Sequence, residues 1–207
     1  MTGPLVVACG ALASDLRAVL DEQGFSGAVE VRYLPAPLHN RPERIVPALR
    51  EQLADVDRDR TVLVGYADCG TGGLLDMFLD EIEPEFATAG GAICRIPGDH
   101  CYEFFAGRER FAALHAEQPG TFYLTDFLAK HFDALVWQGL GLDEHPSLRD
   151  LYFGNYTRVV LLSQTDHPAV LAAGERAAER LGLAFEHAHV AREQFAVAVR
   201  VGVRGRH

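Results

Sequence analysis

Short apolar runs alternate with stretches in which apolar residues return every three or four positions, and the alternation recurs along most of the chain. Leu5 to Ala8 is an apolar run broken by Cys9 and Gly10, after which Leu12, Leu16, Val19 and Leu20 return at helical spacing as far as Gly24. Ala28 to Leu34 alternates like a strand and meets Pro35-Ala36-Pro37; Ile45, Val46, Leu49 and Leu53 then share one helix face. Thr61 to Ala67 is a third strand, with Thr71 as the cap of a helix through Leu74, Leu75, Phe78 and Leu79. A fourth strand, Ala92 to Ile96, stops at Pro97-Gly98, and Asp99 caps a helix from His100 to Phe105. From Thr121 to about Tyr156 the pattern is read as a helical insert rich in aromatics. Arg158 to Leu162 restores a strand, a helix runs through Val170, Leu171, Ala177 and Leu181, and Ala184 to His189 is a last strand. Arg200 to His207 is expected to fray.

Repeated strand–helix units with nearly continuous apolar strands predict an α/β fold: a mostly parallel, Rossmann-like sheet with helices on both faces. The 207 residues, 48% of them hydrophobic, suit one domain over 1–207. A formal charge of −10, with no local cluster of Lys or Arg, argues against nucleic acid as a partner. The N-terminus has no basic segment followed by an apolar stretch and no run nears the ~20 residues of a membrane span, so a cytoplasmic protein is expected.

In open parallel sheets, ligands bind at the carboxyl ends of the strands. Three of the four cysteines fall there: Cys9 after the first strand, Cys69 after the third and Cys101 after the fourth. Cys94 lies within a strand and reads as a small buried hydrophobe. Three thiolates suit zinc, or an iron–sulfur cluster with one open iron. His100 is the candidate fourth ligand, although adjacent helical residues diverge by about 100°. Two other readings stand beside ligation: the cysteines pack against Gly10 and Gly70, or Cys101 is a nucleophile at a helix N-terminus, helped by His100 or Asp68.

The stretch GYADCGTGG at residues 65–73 carries no lysine and matches neither GxGxxG nor GxxxxGKS, so its glycines are weak evidence for a phosphate loop. Gly10, Gly70 and Gly72 are the candidate glycines lining a cofactor. Asp68 reads as a base, a cation ligand or a residue bonding its own turn. On the proline-braced loop LPAPLHNRPE, His39 and Arg41 are candidates to orient a substrate. Within GTFYLTDFLAKHFD the aromatics read as core, and Asp126 and His131 as the polar residues facing a crevice.

The segments ACGAL, LHNRPE, GYADCGTGG, HCYEFFAG, PGTFYLTDFL and YFGNYTRVVLLSQT together resemble the DUF1638 family of uncharacterised bacterial and archaeal proteins. The resemblance implies an association with corrinoid-dependent methyl transfer and methylamine use, hence a small-molecule or corrinoid-linked substrate and a methyltransferase partner. The expectation is a metal-binding α/β protein with Cys9, Cys69 and Cys101 at its centre and Asp68, His39 and Arg41 in the crevice. The alternatives are a metal-free accessory module for a corrinoid or methyltransferase partner, and a cysteine-nucleophile transferase or hydrolase.

Overall fold

The protein is described by a computed structural model over residues 3–205. The chain forms two compact units, one of Met1–Phe104 with Arg192–His207, the other of Phe105–Ala191. The first begins with β1 (Leu5–Cys9), α1 (Ala13–Glu22), β2 (Glu30–Leu34), α2 (Ile45–Leu53), β3 (Thr61–Gly65), α3 (Leu74–Ala89), β4 (Ala92–Arg95) and α4 (Cys101–Ala106). The chain then runs through α5 (Arg108–Glu117), β5 (Thr121–Thr125), α6 (Asp126–Lys130), α7 (Leu148–Phe153), β6 (Arg158–Ser163), α8 (Pro168–Leu181) and β7 (Ala184–His189). It returns to the first unit as α9 (Glu193–Arg204).

The fold is α/β, as the pattern predicts, but with two parallel sheets. In the first unit the strand order is β2-β1-β3-β4. Alternation along the strands sends Leu5, Val7, Val62 and Val64 into a core shared with Ile45 and Leu49 of α2 and Leu75, Phe78, Ile82 and Phe86 of α3. Val6 and Leu63 point to the opposite face, where α9 packs on β3 and beside α1. Each such buried side chain contributes roughly 1.5–3 kcal/mol, so two covered faces, rather than propensity, hold strands this short. Where β1 and β3 end, Ala8 is paired with Gly65, and a Cβ on Gly65 would stand 2.6 Å from that of Ala8. The close approach requires glycine.

The second unit has the order β5-β6-β7. Leu124, Val159 and Leu161 pack there with Leu128, Val170 and Leu181. Each unit also ties down a buried arginine near its strand starts. Arg60 donates to the Gly3 carbonyl and to Glu30 at 2.9 Å, and Arg158 donates to Thr121 at 2.8 Å, Glu186 at 2.7 Å and the Leu114 carbonyl at 3.0 Å. Satisfying every direction of a buried cation is what makes it tolerable.

Two expectations are corrected. The stretch read as a helical insert opens with a strand, β5, because Thr121-Phe122-Tyr123-Leu124-Thr125 has a β-branched and aromatic composition that suits a buried pleat; helices begin at Asp126. The tail read as frayed is α9 as far as Arg204, and it buries Phe195, Val199, Gly202 and Val203. Arg206 and His207 lie outside the described residues. Among the described residues no helix is long and apolar enough to cross a membrane.

Candidate functional site

The order β2-β1-β3-β4 reverses direction at β1: the chain leaves β1 to one side for β2, then crosses back to the other side for β3. At such a switch point the connections diverge to opposite faces and leave a crevice at the strands' carboxyl ends. Cys9 is the last residue of β1, and Tyr66 to Cys69 directly follow β3. The loop after β4 is fastened to the same place, since the Asp68 amide donates to the Gly98 carbonyl at 3.0 Å and the Cys69 amide to the Asp99 carbonyl at 2.8 Å. Those bonds bring Cys101, at the start of α4, to the Cys69 loop, where its backbone amide helps to lower the pKa of the Cys69 thiol against burial.

The three thiols sense one another electrostatically. Burial pushes the Cys69 thiol up to about 11, opposed by the backbone at Ala67 and reinforced by charge on Cys9. Cys101 is driven well above the ordinary thiol value by burial and then by charge on Cys69 and Cys9. Cys9 is also raised by burial, against the Ala11 amide and the Tyr66 hydroxyl. The sequence places these three cysteines at equivalent strand ends, and the fold leaves them within electrostatic reach of one another. Among the described residues, however, no three His, Cys, Asp or Glu side chains already stand as a set of metal ligands.

Cys69 is the only described non-glycine residue with a left-handed backbone, φ 50°. It is held there by the turn that Asp68 organises. The Asp68 carboxylate accepts from the Thr71 hydroxyl at 2.6 Å, the Gly73 amide at 2.8 Å and the Gly72 amide at 3.0 Å. Burial raises the Asp68 carboxyl, but the Thr71 hydroxyl and the two amides outweigh it and hold the carboxyl below its ordinary value. Asp68 therefore occupies the amides at the head of α3 that a bound phosphate would need. Of the three readings of Asp68, the geometry is that of a residue bonding its own turn. Gly72 gives its amide to Asp68, Gly70 rests 3.5 Å short of Pro42 as judged from the Cβ it lacks, and Gly10 lies under the Leu34 carbonyl.

That contact with Pro42 sets the His39–Arg41 loop beside the Cys69 turn. His39 is exposed, yet the protein around its ring lowers its pKa from the ordinary histidine value. Arg41 is exposed between two short helical turns. His100 precedes α4 with its ring 5.5 Å from Tyr102 and Nδ1 3.7 Å from Glu103, directions that do not by themselves make it a ligand. Asp126 and His131 belong to the second unit. Asp126 is buried and accepts from the Thr165 hydroxyl at 2.6 Å, while exposed His131 packs its ring on Phe127.

Two residues given no role from the sequence stand at this site. Tyr66 is 3% exposed, and its hydroxyl approaches Cys9 without reaching a hydrogen bond of ordinary geometry. Burial, followed by the nearby Cys9, raises its phenol far above the ordinary value. Arg95 grips Asp76, donates to the carbonyls of Ile96 at 2.9 Å and Gly98 at 3.0 Å, and lies within electrostatic reach of Asp68 and Cys69. The signal for each was a polar group at the end of an otherwise apolar strand.

The parallel sheets, with their crossover helices and the change of direction at β1, define a doubly wound α/β protein. The chain belongs to the DUF1638 family, described as proteins of unknown function, whose profile matches residues 33–198. The match includes Tyr66, Cys69 and Cys101, and begins beyond Cys9. No curated protein matches the chain.

Proposed function

We propose that Cys9, Cys69 and Cys101 hold a thiophilic centre, zinc or an iron–sulfur cluster, and that the crevice around it serves corrinoid-linked methyl transfer or related one-carbon chemistry. The observation that supports this reading is the placement of three thiols at one edge of the sheet, after β1, β3 and β4 and within electrostatic reach of one another, where ligands of this architecture bind. The chemistry of the donors supports the reading, since three thiolates would leave a fourth position open as in catalytic zinc sites, and the side chains would have to draw together to ligate, because no such set is formed among the described residues. Such a centre supplies Lewis-acid activation of a bound thiol or, as a cluster, electrons at low potential. Asp68 fixes the backbone that presents Cys69, and His39 and Arg41 stand on the neighbouring loop to orient an anionic substrate group. His100 is the candidate fourth protein ligand only if its ring turns from Glu103.

Metal analysis and an absorption spectrum of anaerobically purified protein test this. About one zinc, or iron with matching sulfide, is expected per chain, lost in Cys69→Ser. Metal-free protein, or identical content in that variant, would sink the proposal.

A second reading, a metal-free accessory module for a methyltransferase or corrinoid partner, is favoured by one observation. Cys9 and Cys69 pack against the core, and no ligand set is pre-formed among the described residues. Co-purification of such a partner that survives serine at all three positions would support it over the first. A nucleophilic Cys101 has less support, because burial favours its protonated form.

A further inference from the structure

Val31 and Tyr33 of β2 pair with Val6 and Ala8 of β1, so they stand on one face of the first sheet. Because β2 is an edge strand, that face is only partly covered, and a cavity of about 280 Å³ opens between β2 and α1. Leu20, Val29 and Val31 supply aliphatic walls, and Phe25 and exposed Tyr33 supply aromatic ones. The space is nearly twice the ~150 Å³ that admits benzene, which suits two fused rings.

The polar groups are few and unequal. Arg17 lines the cavity four residues before Asp21, the spacing at which opposite charges on a helix ordinarily pair. The pair does not form: Asp21 accepts from the Ser26 hydroxyl, and Arg17 has no ion pair among the described residues. The Arg17 charge acts instead on Tyr33, whose phenol is raised by burial and lowered by that charge. Arg204 of α9 brings a second guanidinium to 5.9 Å from the centre of the Phe25 ring. Cavities of this kind, apolar and aromatic with a few placed polar groups, take small ligands that the polar groups orient. In a chain of net charge −10, an unpaired arginine beside an aromatic cavity selects a planar anion.

We propose that this cavity binds a small flat aromatic carboxylate, its rings against Phe25, Tyr33 and the aliphatic walls and its carboxylate on the Arg17 guanidinium. The site shares no residue with the thiol edge and does not rest on a metal there.

The test uses the full chain with 2-naphthoate as the probe and 2-naphthamide, the same rings without the charge, as its control. Binding is read from the methyl resonances of Leu20, Val29 and Val31, which also locate the ligand. Naphthoate is expected to shift those methyls and to bind ~10-fold or more tightly than naphthamide, the usual contribution of a hydrogen bond to a charged group. Arg17→Gln, a change at an exposed side chain, is expected to bring naphthoate down to the affinity of naphthamide, and Tyr33→Leu to weaken both. Equal affinity for the two probes, wild-type affinity in either variant, or methyls that do not move would overturn the proposal. Should a variant fail to fold, the comparison of the two probes on the wild type decides the matter alone.

Discussion

A left-handed backbone at Cys69 is costly for any residue with a Cβ, about 1–2 kcal/mol. Gly70, Gly72 and Gly73 take the same region freely, so a cysteine kept among them points to a use for its thiol. Comparing two variants that both lack sulfur isolates the strain. Cys69→Gly should be more stable than Cys69→Ala by about 1 kcal/mol, or roughly 2–4 °C in thermal midpoint for a chain of this size, the reverse of the usual order. A more stable alanine variant would contradict the strain argument. Asp68 gives a second test. Its folded pKa lies below the unfolded value, so its contribution is complete above the ordinary carboxyl range near ~3.9 and is lost as pH falls through the lower folded value. The stability gap between wild type and Asp68→Asn should be flat above about pH 5 and shrink below about pH 4, as measured by urea midpoints. A gap that persists undiminished in acid would exclude this role. The turn-bonding role of Asp68 was among the readings its sequence allowed, since Asp before a glycine-rich turn bonds locally. The place of Tyr66 was not, because a hydroxyl finds its neighbours only when β1 and β3 are side by side.

At the scale of elements, β1 to β4 and α1 to α4 were legible because alternation and helical spacing are local signals, and their order along the chain shows which loops lie at the strands' carboxyl ends. What failed were segments whose local signal is ambiguous. A five-residue apolar run such as β5 carries too few periods to separate strand from helix, and α9 mixes β-branched valines with Gly202, which lowers helix propensity. Tertiary contact decides α9: Gly202 sits so close to Leu63 that a Cβ there would approach its side chain to 2.5 Å. Phe195, Val199 and Val203 together bury apolar surface worth roughly 5 kcal/mol or more, comparable with the whole stability of a domain. Removing residues 192–207 should therefore strip hydrogen-exchange protection from β1 and β3 while β5, β6 and β7 keep theirs. Protection retained in β1 and β3 would show that α9 is dispensable.

For the whole molecule, α/β class and parallel pairing followed from the repeated strand–helix rhythm, but the rhythm alone does not say how many sheets the strands make. Two sheets arise here because a second set of strands builds its own core, from Leu124 to Leu181, before the chain returns as α9. The switch point at β1 and β3 depends on strand order, which loop lengths leave open and the fold decides. It places three cysteines separated by dozens of residues at one edge of the sheet and within electrostatic reach of one another, an arrangement that no short motif announces. The central claim is that these sulfurs bind a metal centre, and X-ray absorption at the metal edge of the anaerobically isolated protein tests it most directly. The account predicts a first shell dominated by about three sulfurs at ~2.3 Å, lost when Cys69 is changed to serine. A shell of nitrogen and oxygen alone, or no bound zinc or iron to measure, would contradict it.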